Sequence, residues 1–404
     1  MFVTIAVRNI FRHKRRTILT VLTMTGGFVL AAFSIGWSDG SYAYIIDMFT
    51  RNRLGHIQIH KGDYSKNPSL YKTIDTYETI GTKLDMIPQI ESWTPRVFTA
   101  GLGSVGEKST AVSIIGVDPH REDRTTGLSQ KIIQGEIIPK SFNKEVMLGK
   151  GLAEILDAQI DDEIALVTQA ADGSMANDRF TVAGVVDSGD PDQDRMDCYL
   201  HIAEAQDFLV LDDRCHEIAI VVSAISAIDQ TVSSIQHAIN DPTVSVEPWQ
   251  EFAQEFHRAM VADQQGMWIM LFIIMLIVAI GVLNTVLMAV LERTREYGVL
   301  KALGTRPYDI IKLVLYEVLV MAIISLGAGV IISLIVNYIF SINGIVLPEA
   351  FTYGGMTFER MYTQINMRSL YIPAVTVFCA ALMVSIFPAV RAAHVDPAHA
   401  MRSH

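Results

Sequence analysis

The sequence predicts a membrane protein of four transmembrane helices, with a large mixed α/β extracytoplasmic domain inserted between helices 1 and 2. Three observations carry this. Four long windows hold no charge. Basic and acidic residues are segregated along the chain. Short period-two apolar patterns are confined to residues 39–263.

The uncharged windows come first. Thr17 to Ser38 is 22 residues, Gln264 to Leu291 is 28, Val318 to Pro348 is 31 and Ser369 to Val390 is 22. A bilayer core takes about 20 apolar helical residues at about 1.5 Å each. Buried helices of soluble proteins are usually shorter, so all four windows are read as spans. The first has a basic approach, as a secretory leader would. But leader apolar cores run about 7–15 residues and end in small residues. Here the run passes Phe33, Ile35 and Trp37 without a cleavage pattern, so an uncleaved span is expected.

The basic residues orient the spans. Arg8, Arg12, Lys14, Arg15 and Arg16 precede the first; Arg293, Arg295, Lys301, Arg306 and Lys312 lie between the second and third; Arg391 and Arg402 follow the fourth. Short basic flanks stay in the cytoplasm. Both termini and the 292–312 connector are therefore expected there, and residues 39–263 outside. That outer segment carries 36 Asp and Glu against 18 Lys and Arg, while the whole chain is only −11. So acidic a body argues against a nucleic acid partner. It suits a domain held off an anionic membrane surface.

Within 39–263 the pattern alternates between helix and strand. Residues His56 to His60, Val112 to Val117, Ile164 to Val167, Phe180 to Val186, Glu217 to Val222 and Val244 to Val246 read as strands. Thr76 to Met86, Glu145 to Ala158, Ile202 to Leu209, Ala227 to Ile239 and Trp249 to Val261 read as helices, the last leading into the second span.

Several motifs look like chemistry and are set aside. Gly101 to Gly106 matches G-x-G-x-x-G, but Glu107 precedes Lys108 and strand patterns flank it, so a hairpin turn is expected instead of a phosphate loop. Asp190, Asp192 and Asp194 resemble the start of a calcium loop, yet Arg195 and His201 stand where that loop needs Gly and Glu. A solvated acidic loop fits better. His56 and His60 share a face with Gln58, but two histidines without a third ligand make a poor metal site, and no metal is expected. Cys198 and Cys215 form either a disulfide closing about 18 residues or two buried thiols. Cys379, in the fourth span, is expected to pack.

The connector ERTREYGVLKALGTRPYDI is the most distinctive stretch. Its first part has good helix formers, and Gly304 suits a C-cap. Leu291, Val299, Leu300 and Leu303 make an apolar face; Glu292, Glu296, Arg293, Arg295 and Lys301 make a charged one. This stretch closely resembles the coupling segment of MacB/FtsX-type ABC transporter permeases, roughly ER-x-x-E-I-G-I-x-[KR]-A-[LI]-G-A followed by a Glu inside the third span, here Glu317. Residues Ala6 to Thr17 resemble the family's N-terminal elbow helix, and Pro388 to Arg402 its P-A-x-R-A-A-x-x-D-P-x-x-A-L-R tail.

The resemblance implies a division of the chain. Residues 1–16 would be a cytoplasmic elbow helix, 17–38 the first span, 39–263 a MacB-like periplasmic domain and 264–291 the second span. Residues 292–312 would be the coupling segment, 313–341 the third span, 342–368 a periplasmic loop, 369–390 the fourth span and 391–404 a cytoplasmic tail. It implies a non-enzymatic permease of the bacterial inner membrane. The chain would bind no cofactor; ATP and Mg would sit on a separate ABC ATPase dimer. Glu292, Arg293, Arg295, Glu296, Lys301, Ala302, Leu303, Gly304 and Thr305 would engage that ATPase. A second permease copy, identical or not, would complete the complex. The strand opening at Gly55-His56-Ile57-Gln58-Ile59 resembles the LolC/LolE lipoprotein-releasing branch. MacB-like efflux with a periplasmic adaptor, and FtsX-like signalling to a periplasmic hydrolase, are the alternatives.

Lipid-chain extraction needs an apolar cavity. Phe28, Phe33 and Trp37 on the first span, with Met267, Met270, Leu271 and Met275 on the second, are suited to line one. Gly26 and Gly27 would allow close span packing. Glu317 is expected to act in structure or coupling, not as a proton site.

Overall fold

The computed structural model describes residues 8, 9, 12, 14–139, 143–353 and 356–395. Most of the expected elbow helix and of the tail beyond residue 395 lies outside the described residues. The chain divides into two compact units. One is Met1–Tyr42, Met260–Val346 and Arg360–His404; the other is Ala43–Ala259 and Leu347–Glu359.

The first unit is helical. Helix α1 (Lys14–Phe49) supplies residues to both units and runs well past the uncharged window ending at Ser38. Three further helices, Gln254–Glu292, Pro307–Asn343 and Met367–Ala393, are apolar spans. Their outward faces stay apolar. Ile269, Phe272, Ile273, Leu276 and Ile277 are each half exposed or more. A water-soluble protein would not leave such a continuous face uncovered, whereas lipid covers it without cost.

Inward, valines at 278, 282, 286 and 290 form an i, i+4 stripe that packs with Met24, Phe28, Val314, Val318 and Met321. In lipid these contacts stabilise through close packing, since apolar side chains gain little by leaving hydrocarbon. Two glycines set the approach. A Cβ on Gly27 would lie 2.0 Å from Val278 Cγ2, and one on Gly329 would lie 2.7 Å from Phe28 Cδ1. Gly26, by contrast, has nothing within 4 Å.

The second unit is mixed α/β. In chain order it contains β1 (Ile57–Lys61), α2 (Tyr77–Leu84), β2 (Ile90–Val105), β3 (Lys108–Val117), α3 (Pro119–Thr126), β4 (Ile132–Gly135), β5 (Glu145–Gly149) and α4 (Lys150–Leu156). Then come β6 (Glu163–Gln169), β7 (Met175–Val186), α5 (Pro191–Asp194), β8 (Asp197–His201), α6 (Ile202–Leu209), β9 (Glu217–Val222), α7 (Ile228–Ile239), β10 (Val244–Pro248) and α8 (Trp249–Phe252). The remaining elements are α9 (Gln254–Glu292), α10 (Thr294–Ala302), α11 (Pro307–Asn343), β11 (Ile345–Tyr353), β12 (Met356–Met361) and α12 (Met367–Ala393).

The strand order is β10-β1-β9-β2-β3-β8-β5-β7-β4, with β6 joining β2 to β7. That last pairing closes a ring: β2-β3-β8-β5-β7-β6 and back to β2. Strand β2 is long enough to do this, pairing β9 through Ile90–Arg96 and β3 through Arg96–Val105. Ile114, Cys198 and Leu148 are register partners across three strands, and all are fully buried. Register partners share a face, so these three side chains point into one interior.

Several sequence expectations are corrected. Residues Glu145–Gly149 are a strand, and only Lys150–Leu156 is helical. The helix expected over Trp249 to Val261 breaks at Ala253 (φ −106°, ψ 50°). Gly106, at φ +55°, turns between Val105 and Lys108, which pair across the β2–β3 hairpin.

The acidic loop is ordered by its own carboxylates. Asp190 accepts from the backbone N–H of Asp192 and Gln193, and Asp194, 3% exposed, accepts from Ser188 N–H. Asp194 is therefore buried rather than solvated. Cys198 and Cys215 are free and buried. Strands β8 and β9 are three ladder steps apart, roughly 14 Å at about 4.8 Å per step. A disulfide needs Cα atoms within about 7 Å, so the bridge left open by the spacing does not form. Cys379 is exposed on α12 rather than packed.

Candidate functional site

The coupling segment begins where α9 ends at Glu292. Arg293 leaves helical geometry (φ −104°, ψ 14°), and α10 starts at Thr294. This break turns the Arg293 guanidinium inward. The sequence reading put Arg293 on the solvent face; its side chain is 3% exposed. Its Nη1 donates to both carboxylate oxygens of Glu317 at 2.8 and 3.1 Å, and Nη2 donates to the Asn9 carbonyl at 3.4 Å. Asn9 Nδ2 donates to the same Glu317 at 2.7 Å. One buried carboxylate on α11 thus ties the start of α10 to the N-terminal segment. Tyr297 packs beside this cluster, and burial pushes its hydroxyl pKa up to about 12, so it stays neutral.

Arg16 Nη1 lies 3.6 Å from Glu292, at the base of α1. The Arg12–Glu296 contact, 4.0 Å and exposed on both sides, adds little. Lys301 faces inward too. Its ammonium donates to the carbonyls of Ala393 (3.0 Å) and Val395 (2.8 Å). It satisfies free carbonyls at the C-terminus of α12, where a cation also suits the helix dipole. Lys301 thereby ties α10 to the end of α12.

Beside the exposed Glu292, Arg295 and Glu296, an apolar and small set also faces outward. Val299 is 43% and Leu303 80% exposed, and Ala302 and Gly304 are exposed beside them. Gly304 sits at φ +93°, and its N–H donates to the Lys301 carbonyl, closing the helix. Arg306 and Pro307 then start α11 with proline at the first turn. Beside this ridge an open cleft of about 490 Å³ is lined by Arg12, Arg295, Glu296 and Leu300. The short helix thus presents an apolar knob rimmed by charge.

The residues proposed to line a lipid cavity are not brought together as one. Phe28 is fully buried against Gly329. Leu271 and Met267 pack against Ala31 and Ile35 in a closed seam between α1 and α9. Met275 packs on the main core. Phe33 contacts Trp37 (centroids 6.2 Å) and Phe340 (5.7 Å). Met270 is 43% exposed, and Phe33 and Trp37 are only partly buried.

Sequence reasoning missed the polar centre of the mixed unit. Helix α1 ends in a π turn, Thr50–Leu54, capped by Gly55 at φ +77°. Arg53 reaches Asp197 at 3.1 Å, Arg51 reaches Glu91 at 2.9 Å, and Asn52 Nδ2 donates to the Ser188 carbonyl at 3.2 Å. The Lys131 ammonium donates to the Asn52 carbonyl.

Asn52, Arg53, Lys131 and Ser188 border a cavity of about 100 Å³ that is also lined by Arg96, Glu122 and Glu217. Arg96 bridges the two glutamates at 2.6 and 3.0 Å, and His60 meets Glu217 at 3.2 Å. Burial works against the Glu217 carboxylate, but the His60 hydrogen bond and the Arg96 charge hold its pKa below the usual value. Burial lowers Lys131 to about 8 despite the nearby Glu122. No signal in the sequence pairs Arg96 with Glu217, 121 positions away. His56 is occupied separately, by Asp47 and the Val222 N–H. Among the described residues no group of three or more His, Cys, Asp or Glu is placed to hold a metal.

A four-span helical unit, a mixed α/β unit between the first two spans and a short anchored helix between the second and third define a class. The family profile of the MacB-like periplasmic core domain matches residues 17–238, more than half of the chain, and that of the FtsX-like permease C-terminal region matches 268–397. The chain belongs to this family of ABC transporter permeases. It is 23% identical over 318 residues to the lipoprotein-releasing system transmembrane protein LolC of Neisseria meningitidis, covering 74% of this chain and 75% of that protein. It is 23% identical over 347 residues to LolE of Haemophilus influenzae, covering 82% of each. It is 22% identical over 408 residues to the macrolide export ATP-binding/permease protein MacB of Pasteurella multocida, covering 98% of this chain and 59% of that one.

Proposed function

We propose that the chain is the permease of an ABC machine that extracts lipoproteins or similar amphiphiles from the inner membrane. A separate ATPase dimer binds ATP and Mg; this chain contributes no nucleotide site. The ATPase seats on the ridge of Val299, Ala302, Leu303 and Gly304, on the cytoplasmic side with both termini. The observation that carries this is the inward anchoring of Arg293 and Lys301, which leaves an exposed apolar knob on a rigid base. A force on α10 is passed to α11 through the Arg293–Glu317 pair. Likeness to LolC and LolE over 74% and 82% of the chain supports lipoproteins as cargo. Because Phe28 and Leu271 are closed off within one chain, the lipid path forms between two permease copies, bordered by Phe33, Trp37 and Met270.

Macrolide-type efflux through a periplasmic adaptor is the second reading, favoured by the match to MacB across 98% of the chain. A pull-down of the tagged permease from native membranes in mild detergent, read by mass spectrometry, separates the two. An ATPase with acylated proteins, the latter lost on Met270→Asp, supports lipoprotein release. An ATPase with an adaptor and no acylated protein supports efflux. A periplasmic hydrolase as the sole outer partner would replace both with signalling.

A further inference from the structure

We propose that the groove between α11 and α12 is a binding site for one anionic phospholipid, with its phosphate on Lys312 and one acyl chain along the helices. The groove has a volume of about 380 Å³. Helix α11 contributes Lys312, Leu315, Tyr316 and Leu319, and α12 contributes Leu382, Met383 and Ile386. Positions 312, 315, 316 and 319 share one helix face. From Lys312 to Leu319 this face runs about 10 Å at 1.5 Å per residue. The polar groups lie at one end, where Lys312 and Tyr316 stand; the rest is hydrocarbon. That polarity matches an amphiphile with its headgroup at the interface.

The charge selects the headgroup. Lys312 Nζ lies 4.4 Å from the Tyr308 ring centroid, and it makes no ion pair among the described residues. A ring contact leaves ammonium hydrogens free for a phosphate oxygen. Lys312 is five residues past Pro307, near the first turns of α11, where a long basic side chain reaches the membrane surface. Basic pockets between spans are suited to anionic headgroups.

The walls select a chain over a helix. Helix–helix contacts in membranes favour small residues that let backbones approach. This groove has none: its walls are Leu, Met, Ile and Tyr. Met383 and Ile386 are 63% and 50% exposed, so nothing among the described residues fills it. Flexible branched side chains around a narrow slot fit a mobile hydrocarbon chain.

The test uses the full chain in nanodiscs of mixed phosphatidylglycerol and phosphatidylcholine, moved to mild detergent and read by native mass spectrometry. The expected result is one phosphatidylglycerol retained per chain, with a preference over phosphatidylcholine of about fivefold from one cation. Lys312→Gln removes the preference and Lys312→Arg keeps it. Leu382→Trp, which fills the slot, removes bound lipid of both kinds. Thermal unfolding in the same detergent checks that each variant is folded. Equal retention of both lipids by the unaltered chain overturns the proposal, as does unchanged preference in Lys312→Gln. A disulfide cross-link between two copies through Met383→Cys would give the groove to a protein contact and also overturn it.

Discussion

Replacing Glu317 by alanine removes the only carboxylate within 3.5 Å of the buried Arg293 side chain among the described residues. The guanidinium keeps a 3.9 Å contact to the half-exposed Glu296 and a 3.4 Å hydrogen bond to the Asn9 carbonyl. Neither compensates a charge that is 3% exposed. Removing one partner of a buried pair costs about 3–5 kcal/mol. If half of that falls on the junction between α10 and α11, the equilibrium of the anchored coupling helix shifts by about tenfold or more, at 1.4 kcal/mol per decade. The assay is ATP hydrolysis by the ATPase reconstituted with the permease in nanodiscs, alongside ATPase binding. Glu317→Ala should keep most binding, because the ridge is intact, yet lose about tenfold or more of permease-dependent hydrolysis. The double variant Arg293→Met/Glu317→Leu removes both charges and should recover stability, since an apolar pair of similar volume replaces a buried ion pair at little cost. It should not recover coupling if the polar tie to Asn9 transmits the movement. Full coupling in Glu317→Ala would refute the role assigned to the pair.

Three further outcomes follow from the geometry. Lys301→Met strips the ammonium from the Ala393 and Val395 carbonyls, so hydrogen exchange over residues 390–395 should quicken, by the 0.3–1 kcal/mol typical of such an end contact. Cys198 and Cys215 should label with a thiol reagent only after unfolding, since burial raises both thiol pKa values; a mass 2 Da lower, restored by reduction, would show a bridge instead. Lys131 binds its proton less tightly when folded, about 8 against 10.5 unfolded. The unfolded chain therefore holds more protons between those values, and the mixed unit should gain stability as pH rises from about 8 to 10.5. Lys131→Met should lack that rise in thermal melts, and an unchanged slope would count against burial as its cause.

The spans were legible because lipid imposes a single demand on a long window, and nothing else in the chain satisfies it. Their ends were not. Helix α1 runs on through Asp39, Gly40 and Asp47, since a helix outside hydrocarbon tolerates polar residues. Short apolar runs were ambiguous: Glu-Val-Met-Leu-Gly at 145–149 reads equally as helix or strand, and its ladder with β7 and β8 decides. The coupling segment was recognisable from its motif, but not which charges face in. Arg293 and Lys301 are committed by partners 24 and 92 positions later, Glu317 and the Ala393 carbonyl. Within one chain the residues expected to line a cavity are spread over separate contacts for a similar reason. Phe28 and Leu271 have the chemistry to hold an acyl chain, and the same chemistry lets them pack against Gly329 and Ile35.

The most direct test of the ridge as the ATPase seat is photo-crosslinking in cells from single positions on α10. A photoreactive residue at Leu303, 80% exposed, should give one strong adduct with the ATPase subunit, and one at Tyr297, 3% exposed, should give none. Adducts from Leu303 with periplasmic proteins, or none with an ATPase while the protein is folded and active, would contradict both the orientation and the coupling role proposed for residues 294–305.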